Sequence, residues 1–238
     1  MDTPQGKLYM IPTTLGESNP LEVLPLTVRK AIENIDHYIV ENEKWARRAI
    51  QRIAPSKSQP DLNLNLLNKF TDESDLRSFL QPCFDGQDVG VMSDAGAPGI
   101  ADPGALVVAL AHELGIRVIP LVGPSSILLA LMASGMNGQK FAFHGYLPID
   151  KRERRLAIKQ LERESKANDQ SQLFIETPYR NDQLMEALLS VLNGNTRLCV
   201  AADITLPTEF IKTLRVDEWK KNKVDLHKRP TLFIIQNN

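Results

Sequence analysis

The chain has 238 residues, 42% of them hydrophobic and 24% charged, values close to globular averages that exclude a disordered chain. No apolar run approaches the ~20 residues that a membrane-spanning helix needs. Charge is uneven: 11 Lys and Arg face 16 Asp and Glu over residues 1–123, against 17 and 13 over residues 124–238. Such a bias would draw an anionic partner to the second half, although surface variation of this size is also ordinary.

The opening stretch MDTPQGKLYM has no basic segment leading into an apolar one, so nothing marks it for secretion and a cytoplasmic protein is expected. KLYMI (7–11) then reads as a strand, and Thr27 is placed to cap a helix running to Ile35. HYIVE (37–41) is a second strand, and residues 51–69, containing PSKSQPDLNLN, read as a surface excursion. DVGVMS (88–93) and RVIPLV (117–122) are further strands. Between them Asp102-Pro103 opens a helix to Leu114, stopped by Gly115. This alternation calls for a mostly parallel sheet covered on both faces.

After a break near Gly123-Pro124, residues 126–133 (SILLALMA) form an apolar helix closed by Gly135. FAFHGYL (141–147) and QLFIET (172–177) are strands, with a helix carrying Leu156 and Leu161 between them. Leu184, Leu188 and Leu192 mark the next helix at a spacing of four. RLCVAAD (197–203), EFIKTL (209–214) and TLFIIQ (231–236) lie close enough in sequence to make the second sheet partly antiparallel. The expectation is an α/β protein of two domains, residues 1–122 and 123–238. Cys83 and Cys199 stand far apart, and no His, Cys or carboxylate spacing suggests a metal site.

The segment richest in chemistry is SDAGAPGIADPG (93–104), which joins an apolar strand to a capped helix at the carboxyl edge of the sheet. Open α/β sheets bind ligands at that edge. Three glycines admit close approach of backbone, two prolines restrict the loop, and it holds no Lys or Arg of the kind a phosphate loop often adds. The bland alternative for Asp102 alone, a helix cap, is the stronger one. Gly123-Pro124-Ser125-Ser126 is a second candidate loop, and Pro12 to Gly16 a third. The latter lacks GxGxxG, which removes the main support for a dinucleotide site.

These segments resemble the tetrapyrrole methylase-like (class III) S-adenosylmethionine-dependent methyltransferases. They resemble most the small-subunit ribosomal RNA methyltransferase I branch, which methylates a cytidine 2′-hydroxyl. The resemblance is carried in order by GKLYMIPTTLG (6–16), SDAGAPGIADPG (93–104), GPSS (123–126), FAFHGYLP (141–148), FIETPYR (174–180) and TEFIKTL (208–214). It implies two αβα domains, the first sheet mostly parallel and the second mixed, with S-adenosylmethionine in a cleft between them, and a homodimer. By position it assigns the cofactor to Pro12, Asp94, Ala95, Gly96, Ala97, Ile100, Ser125 and Ser126, with Phe174 and Pro230 from the second domain. The sequence departs from the branch after the second strand: an Ala-Glu-Asp-Thr-Arg block is replaced by Val40-Glu41-Asn42-Glu43-Lys44.

Methyl transfer to a hydroxyl needs a base. Glu176 is the first candidate, with a salt bridge to Arg180 as the competing role; Glu41 is the second, and His144, among aromatic residues, reads better as a packed residue. Lys151, Arg152, Arg154 and Arg155 form a basic run that would meet an RNA backbone, with Arg180 as a further substrate contact, unless the run is only the solvated face of a helix. A tetrapyrrole or other small-molecule acceptor is the alternative enzyme reading. A non-catalytic RNA- or ribosome-binding protein that keeps the fold is the alternative class.

Overall fold

The structure, a computed structural model, describes residues 5–68 and 70–237. Residues 1–4 of the opening stretch and Lys69, at the end of the expected surface excursion, lie outside them. The chain divides into two compact units, residues 1–125 and 126–238.

The first unit runs β1 (Leu8–Ile11), α1 (Pro20–Val23), α2 (Leu26–Asn34), β2 (His37–Val40), α3 (Glu43–Ile53), β3 (Asn63–Leu66), α4 (Glu73–Phe79), α5 (Gln81–Phe84), β4 (Val89–Met92), α6 (Gly104–Glu113) and β5 (Val118–Pro120). Its five strands are ordered β3-β2-β4-β1-β5 and every pairing is parallel. A parallel sheet must be covered on both faces, and strand alternation supplies two cores here. Leu8, Met10, Ile39, Val89 and Val91 pack with Val107 and Leu110 of α6. Ile11, Tyr38, Val40 and Met92 pack with Val28 and Ile32 of α2 and Ile50 of α3. Each such buried side chain contributes about 1.5–3 kcal/mol of hydrophobic stabilisation before chain entropy is counted. All carboxyl ends of the strands, and therefore the loops after them, lie on one edge.

The second unit runs α7 (Ser126–Ser134), β6 (Phe141–Tyr146), α8 (Lys151–Asn168), β7 (Ser171–Ile175), α9 (Asn181–Val191), β8 (Arg197–Ala202), β9 (Phe210–Arg215), α10 (Val216–Trp219) and β10 (Thr231–Gln236). Its sheet is ordered β6-β7-β10-β8-β9, with β6 and β7 parallel and the other pairings antiparallel. Phe174 and Phe233 stack at 6.1 Å between centroids in its core, with Ile158, Leu188 and Trp219. The expected architecture, one parallel sheet followed by one mixed sheet, is the one observed.

Several local expectations change. The 51–69 segment begins inside α3 and contains β3, an edge strand whose alternating Asn-Leu-Asn-Leu carries too little apolar signal to announce itself. Thr27 does not cap α2, which starts at Leu26 behind Pro25. Pro103, not Asp102, holds the cap position of α6, while the Asp102 carboxylate accepts the Gly99 and Gly104 N–H groups and so closes the loop. On α8 the buried stripe is Arg154, Ile158, Leu161 and Ser165; Leu156 points to solvent. Cys83 and Cys199 are both buried free thiols.

Candidate active site

Three loops leave the carboxyl edge of β1, β4 and β5 and converge in the first unit. The Thr13 N–H donates to Gly96 O at 3.0 Å and the Thr13 hydroxyl to Ser93 O at 3.2 Å, joining the first loop to the second. Gly96 has φ +76°, and a Cβ there would press on Leu15 of the first loop and Pro124 O of the third. A Cβ on Gly123 would overlap the Pro12 ring. The junction is therefore a close-packed cradle of backbone with no room for a side chain at either glycine, which holds the three loops in one arrangement.

Gly123→Ala is expected to cost about 1–3 kcal/mol through overpacking and to weaken ligand binding at the junction. Gly138→Ala, whose methyl would meet open space, is the neutral control. Thermal melts and ligand titration of the two variants check this; equal behaviour would mean that the three loops do not form one unit.

Within the cradle Pro12 and Gly96 are buried, Ala97 and Ser125 half-buried, and Asp94, Ala95 and Ile100 exposed, Ile100 by 54%. Ala101 also adopts a left-handed backbone, φ +63°, a strained conformation that tends to occur where a loop is shaped for use. Beside the cradle stands Glu41, at the end of β2, whose Oε1 accepts the Asp94 N–H at 3.3 Å. Burial raises the Glu41 carboxyl above its usual value; the neighbouring charges of Asp102 and Asp94 push the same way, against the Asp94 N–H bond that lowers it.

Thr13, Leu15, Ser93, Asp94 and Ala95 also form one wall of a cavity of about 330 Å³. Its other wall is α3, through Trp45, Arg48 and Arg52. None of these α3 residues was anticipated, yet their spacing of three and four, which places them on one helix face, is readable in KWARRAIQR.

The family described as Tetrapyrrole (Corrin/Porphyrin) Methylases matches residues 7–219, a span that begins before β1 and includes all three loops. The chain belongs to this family. It is a methyltransferase that uses S-adenosylmethionine. The methylase is 28% identical to Ribosomal RNA small subunit methyltransferase I of Escherichia coli O157:H7, over all of this chain and 80% of that protein. It is also 28% identical to the Bacillus subtilis protein of the same name, over 87% of this chain and 67% of the relative. Among solved structures, the methyltransferase CobJ has the same fold with a TM-score of 0.64 at 17% identity, covering 98% of this chain and 94% of that one. Uroporphyrin-III C-methyl transferase from Thermus thermophilus, complexed with S-adenyl homocysteine, gives 0.57 at 16% identity, covering 98% of each.

The residues expected from the second unit of the methylase lie apart in character. Phe174 is fully buried in that unit's core, so its side chain offers no ligand surface. Pro230 is exposed, and its carbonyl accepts the Asp203 N–H at 2.9 Å. Ser126 opens α7 and is half-buried. Glu176 is buried, and its Oε1 accepts Arg180 Nη2 at 2.7 Å, Arg180 Nε at 3.0 Å and the Thr177 N–H at 2.7 Å; its Oε2 has no hydrogen-bond partner among the described residues. The expected Arg154 contact to substrate does not fit the structure. Arg154 is 5% exposed and lies on the inner stripe of α8, whereas Lys151, Arg152 and Arg155 face solvent. His144 is exposed rather than packed in the core, with Nε2 at 2.6 Å from Gln172 Oε1. Among the described residues no group of His, Cys, Asp or Glu is arranged to hold a metal.

Proposed function

We propose that the enzyme methylates a ribose 2′-hydroxyl in small-subunit ribosomal RNA. The observation that carries this reading is Glu41, a carboxylate of raised proton affinity bonded to the backbone of the donor loop. A hydroxyl is a weak nucleophile unless its proton leaves as attack begins, and a base beside the donor loop meets that need. The match to relatives named for ribosomal RNA, over all of this chain in one case and 87% of it in the other, supports the acceptor class.

S-adenosylmethionine supplies an electrophilic methyl group. Gly96, Ala97, Pro12 and Ser125 would hold the donor through backbone, with Asp94, Ala95 and Ile100 beside them in the same unit. Glu41 accepts the hydroxyl proton, and the loops restrict the approach so that positioning provides much of the rate. Glu176 acts by holding Arg180, which leaves Arg180 to meet the substrate. Lys151, Arg152 and Arg155 contact the RNA backbone, so binding weakens with salt.

The apolar helix α7 leaves Leu128 and Met132 exposed, which supports a homodimer. On this reading the enzyme works in the cytoplasm, where the ribosomal RNA of a bacterial relative lies; separately, no described helix is long and apolar enough to cross a membrane. The decisive measurement is a map of 2′-O-methyl positions in ribosomal RNA from cells with and without the protein. One site should disappear. An unchanged map, with transfer to a tetrapyrrole instead, overturns the RNA reading.

A further inference from the structure

We infer that the recess between the first loop and α3 takes one nucleotide of the acceptor, its base on Trp45 and its phosphate on Arg48 and Arg52; this rests on the RNA reading above. Trp45 is 48% exposed although α3 buries its other face through Ala46, Ile50 and Ile53, so an indole is presented to solvent, with no aromatic partner among the described residues. The Arg48 guanidinium lies 5.7 Å from that ring's centre, making a joint aromatic and cationic platform of the kind on which bases stack.

Arg48 and Arg52 share a single carboxylate, Glu17, each at 3.1 Å, and all three groups are accessible enough for an incoming anion to replace it. Arg52 is held in place by a second bond, Nη2 to Ser18 O at 2.7 Å. Across the recess Asp94 is an acceptor suited to the amino or hydroxyl hydrogens of a nucleoside. The recess therefore offers acceptance at one wall and cationic donors at the other, which matches the polarity of a nucleotide. Its volume of about 330 Å³ lies at the lower end of ligand cavities, about 300–1,000 Å³. A single nucleotide suits it better than a macrocycle.

Indole emission reports on the recess directly. The chain has two tryptophans, and Trp219 is 1% exposed with its Nε1 bonded to Leu198 O, so a quencher in solution reaches Trp45 alone. Titration with cytidine 5′-monophosphate, and with a short single-stranded RNA, should give saturable quenching. The quenching should vanish in Trp45→Leu and need about tenfold more nucleotide in Arg48→Ala. It should persist with saturating S-adenosylhomocysteine and tighten about two- to fivefold in Glu17→Gln, where both arginines are released.

Absence of quenching, quenching that survives Trp45→Leu in a protein with normal Trp219 emission, or displacement by S-adenosylhomocysteine overturns the proposal. The last result would give the recess to the donor. Quenching in an enzyme that leaves ribosomal RNA unmethylated sinks the RNA reading and keeps the nucleotide site. Methylation with an unchanged KM for RNA in Trp45→Leu sinks the recess alone.

Discussion

Glu41→Gln is expected to lower kcat by about 10²–10⁴, the range set by loss of a positioned base, with donor affinity retained. Glutamine keeps an Oε1 to accept the Asp94 N–H, so the loop stays in place while the proton acceptor is lost. The pH profile gives a second check. Because burial raises the Glu41 carboxyl, the wild-type rate should fall on acidification at a pH above the ordinary glutamate value of about 4.3. That limb should be absent from the residual rate of the variant.

The stability effect runs the other way. A carboxyl raised in the folded protein favours the fold below its unfolded value, and that contribution is lost as pH rises through the folded value. At neutral pH the variant should therefore melt no lower than wild type. A rate unchanged by Glu41→Gln, or one lost together with the fold, would remove Glu41 as the base.

Arg180→Ala should destabilise the protein by about 3–5 kcal/mol, since it leaves the Glu176 charge buried with one remaining donor. The lower figure is the better expectation, because the Arg180 side chain is 29% exposed while that of Glu176 is 0% exposed. The three bonds at Glu176 Oε1 all come from within four residues, so the pair fixes the turn that leads from β7 into α9. Urea unfolding of Arg180→Ala, Glu176→Gln and the double variant separates the pair from its parts. The double variant should recover much of the loss, since it carries no stranded charge. A single-variant cost below about 1 kcal/mol, the level of a surface pair, would show that the pair does not organise the turn.

How far the sequence announced this arrangement depends on how local the signal was. The loop from Ser93 to Gly104 was legible because glycine and proline act on their own backbone, whatever surrounds them, and an apolar strand and a helix flank them. The same holds for Gly115 and Gly135, which end their helices at φ +70° and +67°. The strand β3 was not legible, because an edge strand needs no apolar face and Asn63 and Asn65 erase the alternation. Arg154 was misread because a charged run was taken as one surface. The helix period that joins Arg154 to Ile158, Leu161 and Ser165 overrides composition and turns one member inward. The α3 wall of the recess was legible in spacing, but its meaning depends on Glu17 and the β4 loop, which lie about 30 to 50 residues away in sequence and meet it only in the fold.

The two ends of the first sheet bear on solubility. On one side Asn63 and Asn65 interrupt the apolar character of β3; on the other, Pro120 closes β5 without an amide hydrogen to offer. Neither rim is a good template for docking a strand from another molecule, so a sheet built of sticky central strands resists growing into a fibre.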